Sequence, residues 1–110
     1  MCNTAELKIA EYHNIRVLTT QQLAGCYGTT TDTITKNFNR NKDRYIERKH
    51  YIALEGDNKN DFLNQGQFDR GLKNAKTLYL WTEKGAFLHA KSLNTDEAWD
   101  VYDRLVESYF

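Results

Sequence analysis

A window of twenty residues, 20–39, constrains what this chain can fold into more than any other part of the sequence. Gly28 lies in its middle, where a chain that leaves a helix needs a residue that tolerates a positive φ angle. Apolar or small residues stand at helical spacing on both sides of it: Leu23, Ala24, Ile34 and Phe38. Two helices that cross at a steep angle need a small contact residue, a left-handed turn and apolar anchors. The window therefore predicts a helix-turn-helix over about residues 20–45.

The second predicted helix, residues 32–44, carries hydrogen-bonding side chains on the face opposite its apolar anchors. With Ile34 and Phe38 turned inward, a rotation of about 100° per residue places these polar side chains outward. They are Thr31, Asp32, Thr35, Lys36, Asn39 and Arg40. Side chains of this kind reach base edges and phosphates from the major groove. The alternative is that this face contacts only solvent, as the polar face of a surface helix usually does.

The charge distribution indicates the same region. The whole chain has 15 basic and 15 acidic side chains, but residues 31–50 carry a net charge of +3 and residues 93–110 a net charge of −4. Basic side chains beyond the base-facing turns are suited to phosphate contacts. With the helix residues they make up the predicted DNA-binding set: Thr31, Thr35, Lys36, Asn39, Arg40, Lys42, Arg44, Arg48 and Lys49.

Length and composition predict a single domain, residues 1–110. The 110 residues include 40% hydrophobic and 13% aromatic side chains, which is enough for one core but not for two. No apolar run is long enough for a membrane span, and the first residues lack the apolar segment of a signal peptide. Cys2 and Cys26 are too few and too isolated for a disulfide framework, and neither belongs to a C-x-x-C pair, so we expect reduced thiols.

The remaining patterns predict an α+β fold. Alternating residues on either side of His13 and Asn14 predict an N-terminal β-hairpin. Residues 50–54 and 77–81 predict a further short two-stranded sheet. Two C-terminal helices are predicted at 83–92 and 96–108, and the polar stretch 58–76 is predicted to be a loop. We expect Asn94 and Glu97 to form a capping box at the start of the last helix.

Six blocks of the sequence carry a resemblance to a known family: residues 17–24, 27–28, 37–45, 50–51, 78–86 and 94–99. In this order they resemble the phage ORF-six N-terminal domain, a relative of the KilA-N domain at the front of phage antirepressor and regulatory proteins. The resemblance covers nearly the whole chain. It implies a DNA-binding module that precedes a separate C-terminal domain. Gly25 and the glycine-free hairpin turn at His13 and Asn14 depart from the family pattern.

Together these features predict a sequence-specific double-stranded DNA-binding module of a phage or prophage transcription regulator or antirepressor, in the cytoplasm of a bacterial host cell. We expect no enzymatic activity, because the sequence has no Gly-rich phosphate loop, nucleophile elbow or paired Cys-His arrangement. We also expect no cofactor and no metal. His13, His50 and His89 lack the spacing of metal ligands.

The last predicted helix supports a second interpretation. One apolar stripe consists of Ala98, Val101, Tyr102, Leu105 and Tyr109, and a second of Trp99, Val106 and Phe110. Since one stripe suffices for a core, the second favours a protein-interaction module that binds a repressor or forms a homodimer through Trp99, Leu105, Val106 and Phe110. Alternatively, both stripes are buried within the domain or by a C-terminal domain.

Overall fold

Short strands are interspersed with helices along the chain. The computed structural model describes residues 9–64 and 76–110. In chain order the elements are β1 (Ala10–Tyr12), β2 (Ile15–Thr19), α1 (Thr20–Tyr27), α2 (Thr31–Arg40), β3 (Tyr51–Glu55), α3 (Gly56–Asn64), β4 (Thr77–Trp81), α4 (Glu83–Leu93) and α5 (Asp96–Ser108). A 3₁₀ helix, Lys42–Arg44, follows α2. These elements confirm the predicted α+β class.

The strands form one antiparallel sheet in the order β1-β2-β4-β3. The predicted hairpin and the predicted second strand pair are both present, but they are joined rather than separate. The end of β2 extends beyond its pairing with β1 and pairs with β4, with Leu18 opposite Trp81 and Thr19 opposite Leu80. This pairing places α1, which begins directly after β2, next to the end of β4.

The hairpin turn forms without glycine. His13 and Asn14 both have positive φ angles, of 51° and 67°. Two consecutive left-handed residues make the type of two-residue turn whose twist matches that of the flanking strands. Asn adopts this conformation more readily than most residues, which explains why the turn tolerates the missing glycine.

The two faces of the sheet support separate apolar clusters, because side chains alternate along each strand. Leu18 and Trp81 pack on one face with the buried residues of α1, α2, α4 and α5. Leu80 packs on the other face with Phe62 and Leu63 of α3. The helices that carry most of the predicted site therefore lie on one side of the sheet.

One helix end and one helix cap differ from the prediction. The predicted second helix ends at Arg40 because the Asn41 side chain donates to the carbonyl of Asn37 at 2.9 Å, while the Asn41 amide bonds to Phe38 instead. The last helix spans residues 96–108 as predicted, and its N-cap is Thr95, whose hydroxyl accepts from the amide of Ala98. The predicted Asn94 capping box is wrong, because Asn94 is the left-handed C-cap of α4 and cannot adopt the extended backbone of an N-cap.

Two further predictions need correction. Residues 58–64 belong to α3 rather than to a loop, and residues 65–75 of that predicted loop lie outside the described residues. Cys26 is buried and disulfide-bonded, so the predicted reduced thiol is wrong at this position. None of the helices within residues 9–64 and 76–110 has the length and hydrophobicity that a membrane span requires.

Candidate nucleic-acid interface

The two helices of the window around Gly28 are joined by a short, well-capped turn. Gly28 has a φ of 68°, as the predicted left-handed turn requires, and closes α1. The amide of Thr29 then donates to the carbonyl of Ala24 at 2.9 Å. Thr30 begins α2 by accepting from the amide of Thr33 at 3.1 Å. Ala24 is 3% exposed, as expected of a small residue at a helix contact.

Phe38 fixes α2 on the sheet. Its ring lies between 5.0 and 5.4 Å, centroid to centroid, from the rings of Tyr45, Tyr51, Tyr79 and Trp81. Aromatic pairs at such distances add to the free energy gained from burial alone. The buried side of α2 is therefore firmly anchored, and its opposite side is presented to solvent.

The exposed side of α2 carries the predicted residues Thr31, Thr35, Lys36, Asn39 and Arg40, all of which are solvent-exposed. We call these five residues the helix surface. Its main ionic contact is a 3.0 Å ion pair between the Nζ atom of Lys36 and the carboxylate of Asp32, one turn earlier. An exposed ion pair of this kind is weak and leaves Lys36 able to exchange partners.

The 3₁₀ helix after α2 extends the basic region. The Nζ atom of Lys42 lies 5.6 Å from the centroid of the Phe38 ring, at cation–π distance. Arg44 and Arg40 line a common cavity together with Lys91 and Ser92 of α4. Lys91 and Ser92 were not among the predicted residues, because only the packing of α4 beside α2 brings them near.

Arg48 and Lys49 are exposed but lie elsewhere. They line a cleft of about 630 Å³ together with Arg16 of the hairpin and Lys84 of α4. This cleft also contains Glu11 and Glu83, so its charge is mixed. It shares no lining residue with the cavity at Arg40 and Arg44. Arg48 and Lys49 therefore line a different pocket from Arg40 and Arg44.

The backbone beside the cleft is held in place. The amide of Arg48 donates to the carbonyl of Tyr51 at 2.6 Å, and the hydroxyl of Thr82 donates to the carbonyl of Lys49 at 2.7 Å. The Nδ1 atom of His50 accepts from the amide of Ile46. Burial, followed by the nearby charges of Lys49 and Lys84, lowers the pKa of His50. His50 is therefore neutral near pH 7 and adds no positive charge to the cleft.

The fold and the exposed side of α2 define a small α+β domain with polar and basic side chains on a solvent-exposed helix. The family model of the ORF6N domain matches residues 7–92, which is most of the chain. The chain therefore belongs to the ORF6N domain family, a phage-associated regulatory class. The match ends within α4, so residues 94–99, which contributed to the resemblance in sequence, lie beyond it. No curated protein and no solved structure gave a significant match.

Proposed function

We propose that this domain is a non-catalytic, sequence-specific double-stranded DNA-binding module of a phage or prophage transcription regulator or antirepressor. In this proposal α1 and α2 act as a helix-turn-helix, and α2 lies in the major groove. The observation that carries the proposal is the helix surface itself. Five polar or basic side chains of α2 face solvent. On the other side of this helix, Phe38 packs against four aromatic rings.

The side chains of the helix surface suit base recognition. Asn39 has the donor and acceptor that pair with adenine in the major groove, and Lys36 donates to the acceptors of guanine. Thr31 and Thr35 lie nearer the start of α2, where backbone amides also face outward. We assign Lys36 and Asn39 to base contacts for this reason.

Basic residues around the helix surface suit phosphate contacts. Arg40, Lys42 and Arg44 follow one another at the end of α2 and in the 3₁₀ helix. Arg48 and Lys49 in the cleft would hold the same duplex at a second place. Contacts of this kind set affinity and orientation rather than sequence preference.

A binding titration with a random duplex pool over a range of salt concentrations tests the proposal. With roughly four to six phosphates neutralised, log affinity should fall with log salt at a slope of about −4 to −5. Selection from the pool then gives the preferred sequence. A flat salt dependence, or the absence of binding to any duplex at low salt, contradicts the proposal.

Single variants then test the assignment of residues. Asn39→Ala should relax the preference at particular base pairs by roughly 1–3 kcal/mol, whereas Arg44→Ala should weaken all sequences about equally. Asn60→Ala is the matched control, because Asn60 is exposed on α3, across the sheet from α2. An unchanged sequence preference in Asn39→Ala means that the base-reading face lies elsewhere.

Self-association or repressor binding through α5 is the second candidate function, and the structure reduces the surface available for it. Val101 and Leu105 are fully buried, so Leu105 cannot take part in the predicted homodimer contact. What favours this candidate is an aromatic group on α4 and α5. Phe87 is 39% exposed and packs against Trp99 and Tyr102, with ring centroids 5.7 and 5.5 Å away.

Sedimentation tests the homodimer. The wild type should self-associate at high micromolar concentration, and Val106→Glu should prevent this, because Val106 is 39% exposed on α5. A wild type that remains monomeric, both free and on DNA, excludes the homodimer.

A further inference from the structure

A cavity of about 310 Å³ lies where the ends of α2 and α4 meet the 3₁₀ helix. Arg40, Arg44 and Lys91 line it, and no acidic side chain is among its described lining residues. Within residues 9–64 and 76–110, none of these three cations forms an ion pair with a carboxylate. The cavity therefore concentrates positive charge that the described protein residues do not neutralise.

The cavity is also lined by polar atoms without good partners. Tyr45 is only 6% exposed, yet its hydroxyl has no well-formed hydrogen bond among the described residues, and the same is true of the buried Nδ2 atom of Asn37. The Ser92 side chain lies beside the Tyr45 hydroxyl and lowers its pKa, although burial raises that pKa overall to about 12. A buried polar group without a partner destabilises the folded state. Groups of this kind beside three cations point to a missing acceptor.

We propose that this cavity binds a phosphate group, and that in the DNA complex this group is a backbone phosphodiester next to α2. The inference rests on the proposed function and adds Lys91 to the DNA-binding residues. A guanidinium group can donate two parallel hydrogen bonds to the oxygens of one phosphate, and the ammonium group of Lys adds a point charge. The Tyr45 and Ser92 hydroxyls, directly or through water, supply further donors for a phosphate oxygen.

Arg40 links this cavity to the helix surface, because it belongs to both. A phosphate held between Arg40 and Lys91 therefore lies directly beside the turn of α2 that carries Asn39. Such a contact would fix how far α2 enters the groove, since phosphate contacts set the register of the reading side chains.

A structural role for the basic residues is the competing explanation. Arg40 and Lys91 lie in the last turns of α2 and α4, where carbonyl groups carry partial negative charge. Each helix end is equivalent to about half a negative charge, so two ends offset about one of the three cations. About two of the three positive charges therefore remain to bind a ligand. The helix ends alone do not account for all three basic residues, as a purely structural role would require.

The test compares Lys91→Gln with Lys76→Gln in the full chain. Both changes remove one positive charge, but Lys76 is exposed directly before β4 and lines neither the cavity nor the cleft. At about 0.1 M salt, we expect Lys91→Gln to weaken duplex binding about five- to tenfold and to reduce the salt slope by about one unit. Lys76→Gln should change affinity less than about twofold.

A second arm uses inorganic phosphate without DNA. Phosphate is titrated against chloride at constant ionic strength, and backbone amide NMR shifts are recorded. Saturable shifts should centre on Asn37, Tyr45 and Ser92 in the wild type and should be lost in Lys91→Gln.

The outcomes separate this inference from the proposed function. Equal effects of the two variants on DNA binding, or a lower melting temperature of Lys91→Gln with an unchanged salt slope, overturn the phosphodiester contact while DNA binding itself stands. Phosphate binding in a domain that binds no duplex overturns the proposed function and the phosphodiester contact together, and leaves a site for a free phosphate. Absence of phosphate shifts together with unchanged DNA binding in Lys91→Gln overturns the whole inference.

Discussion

The α-carbon of Gly85 lies directly against the main-chain carbonyl group of His50. A Cβ atom at position 85 would overlap the carbonyl oxygen and would also lie 3.3 Å from the Trp81 ring. The same carbonyl accepts from the amide of Thr82 at 3.1 Å, so it cannot move freely. This close approach brings the first turn of α4 into contact with the segment that leads into β3.

Replacement of Gly85 by alanine should therefore destabilise the domain, by about 2–3 kcal/mol, because the overlapping atom is backbone. The free energy of unfolding in urea measures the change. Gly25→Ala is the matched control: Gly25 lies in α1, and nothing lies within 4 Å of a Cβ atom placed there. That variant should gain about 0.5–1 kcal/mol from the better helix propensity of alanine. A neutral Gly85→Ala would mean that α4 can move away from His50.

His89 should make the stability of the domain depend on pH. It is fully buried against Trp81, with ring centroids 4.4 Å apart, and burial lowers its pKa from 6.5 to about 4. Below pH 6.5 the unfolded chain therefore binds a proton that the folded chain does not. The contribution of neutral His89 to the free energy of unfolding is fully present above pH 6.5. On acidification to pH 4 the free energy of unfolding should fall by about 3 kcal/mol.

Urea unfolding of His89→Leu from pH 7 to pH 4 checks this. The variant should lose most of that pH dependence, with a smaller part remaining because the pKa of His50 is lowered too. His13→Asn, on the exposed hairpin turn, is the control and should keep the wild-type curve. Identical curves for the wild type and His89→Leu would exclude His89 as the source.

Tyr109 joins the end of the chain to the hairpin. Its buried hydroxyl accepts from the amide of Ala10 at 3.0 Å and donates to the carbonyl of Val17 at 2.6 Å. Tyr109→Phe leaves both backbone groups without this partner and should cost about 1–3 kcal/mol in urea unfolding. Tyr12→Phe removes the same atom from a half-buried residue and should cost less than about 0.5 kcal/mol. Equal losses would mean that the Tyr109 bonds contribute little.

Local signals made the turn at Gly28 and the hairpin turn predictable. Thr19 and Thr30 cap their helices with their own hydroxyls, and Gly28 takes the left-handed conformation that its position suggested. The exposed side of α2 followed from helical periodicity, since burial of Ile34 and Phe38 fixes what faces outward. α3 was missed because its residues are mostly polar and only Phe62 and Leu63 suggest a buried face.

Contacts between distant segments were not predictable. The pairing of β2 with β4 joins residues more than sixty positions apart, and no local pattern indicates it. The same is true of the cavity, because Lys91 meets Arg40 only after α4 packs beside α2. The placement of Arg48 and Lys49 in a different pocket from Arg44 also depends on packing, since these residues lie only a few positions after Arg44 in sequence.

Asp32 should limit the affinity of the proposed DNA-binding surface. Its carboxylate is exposed in the first turn of α2 and pairs with the Nζ atom of Lys36 at 3.0 Å. A negative charge at this place repels phosphates and competes for Lys36. Asp32→Asn keeps the shape of the side chain, so we expect duplex affinity to rise about three- to tenfold at low salt, with a smaller gain as salt increases. Titrations at several salt concentrations measure this effect.

The same variant should lose about 0.5 kcal/mol of stability, because the carboxylate also favours the start of α2 and the pair with Lys36. Asp100→Asn on α5 is the control, since it changes the net charge equally and Asp100 is exposed on a different helix. An equal gain in affinity for the two variants would show an effect of net charge alone. A loss of affinity in Asp32→Asn would mean that Asp32 itself contacts the bases, for example by accepting from cytosine, and that the first turn of α2 reads the DNA.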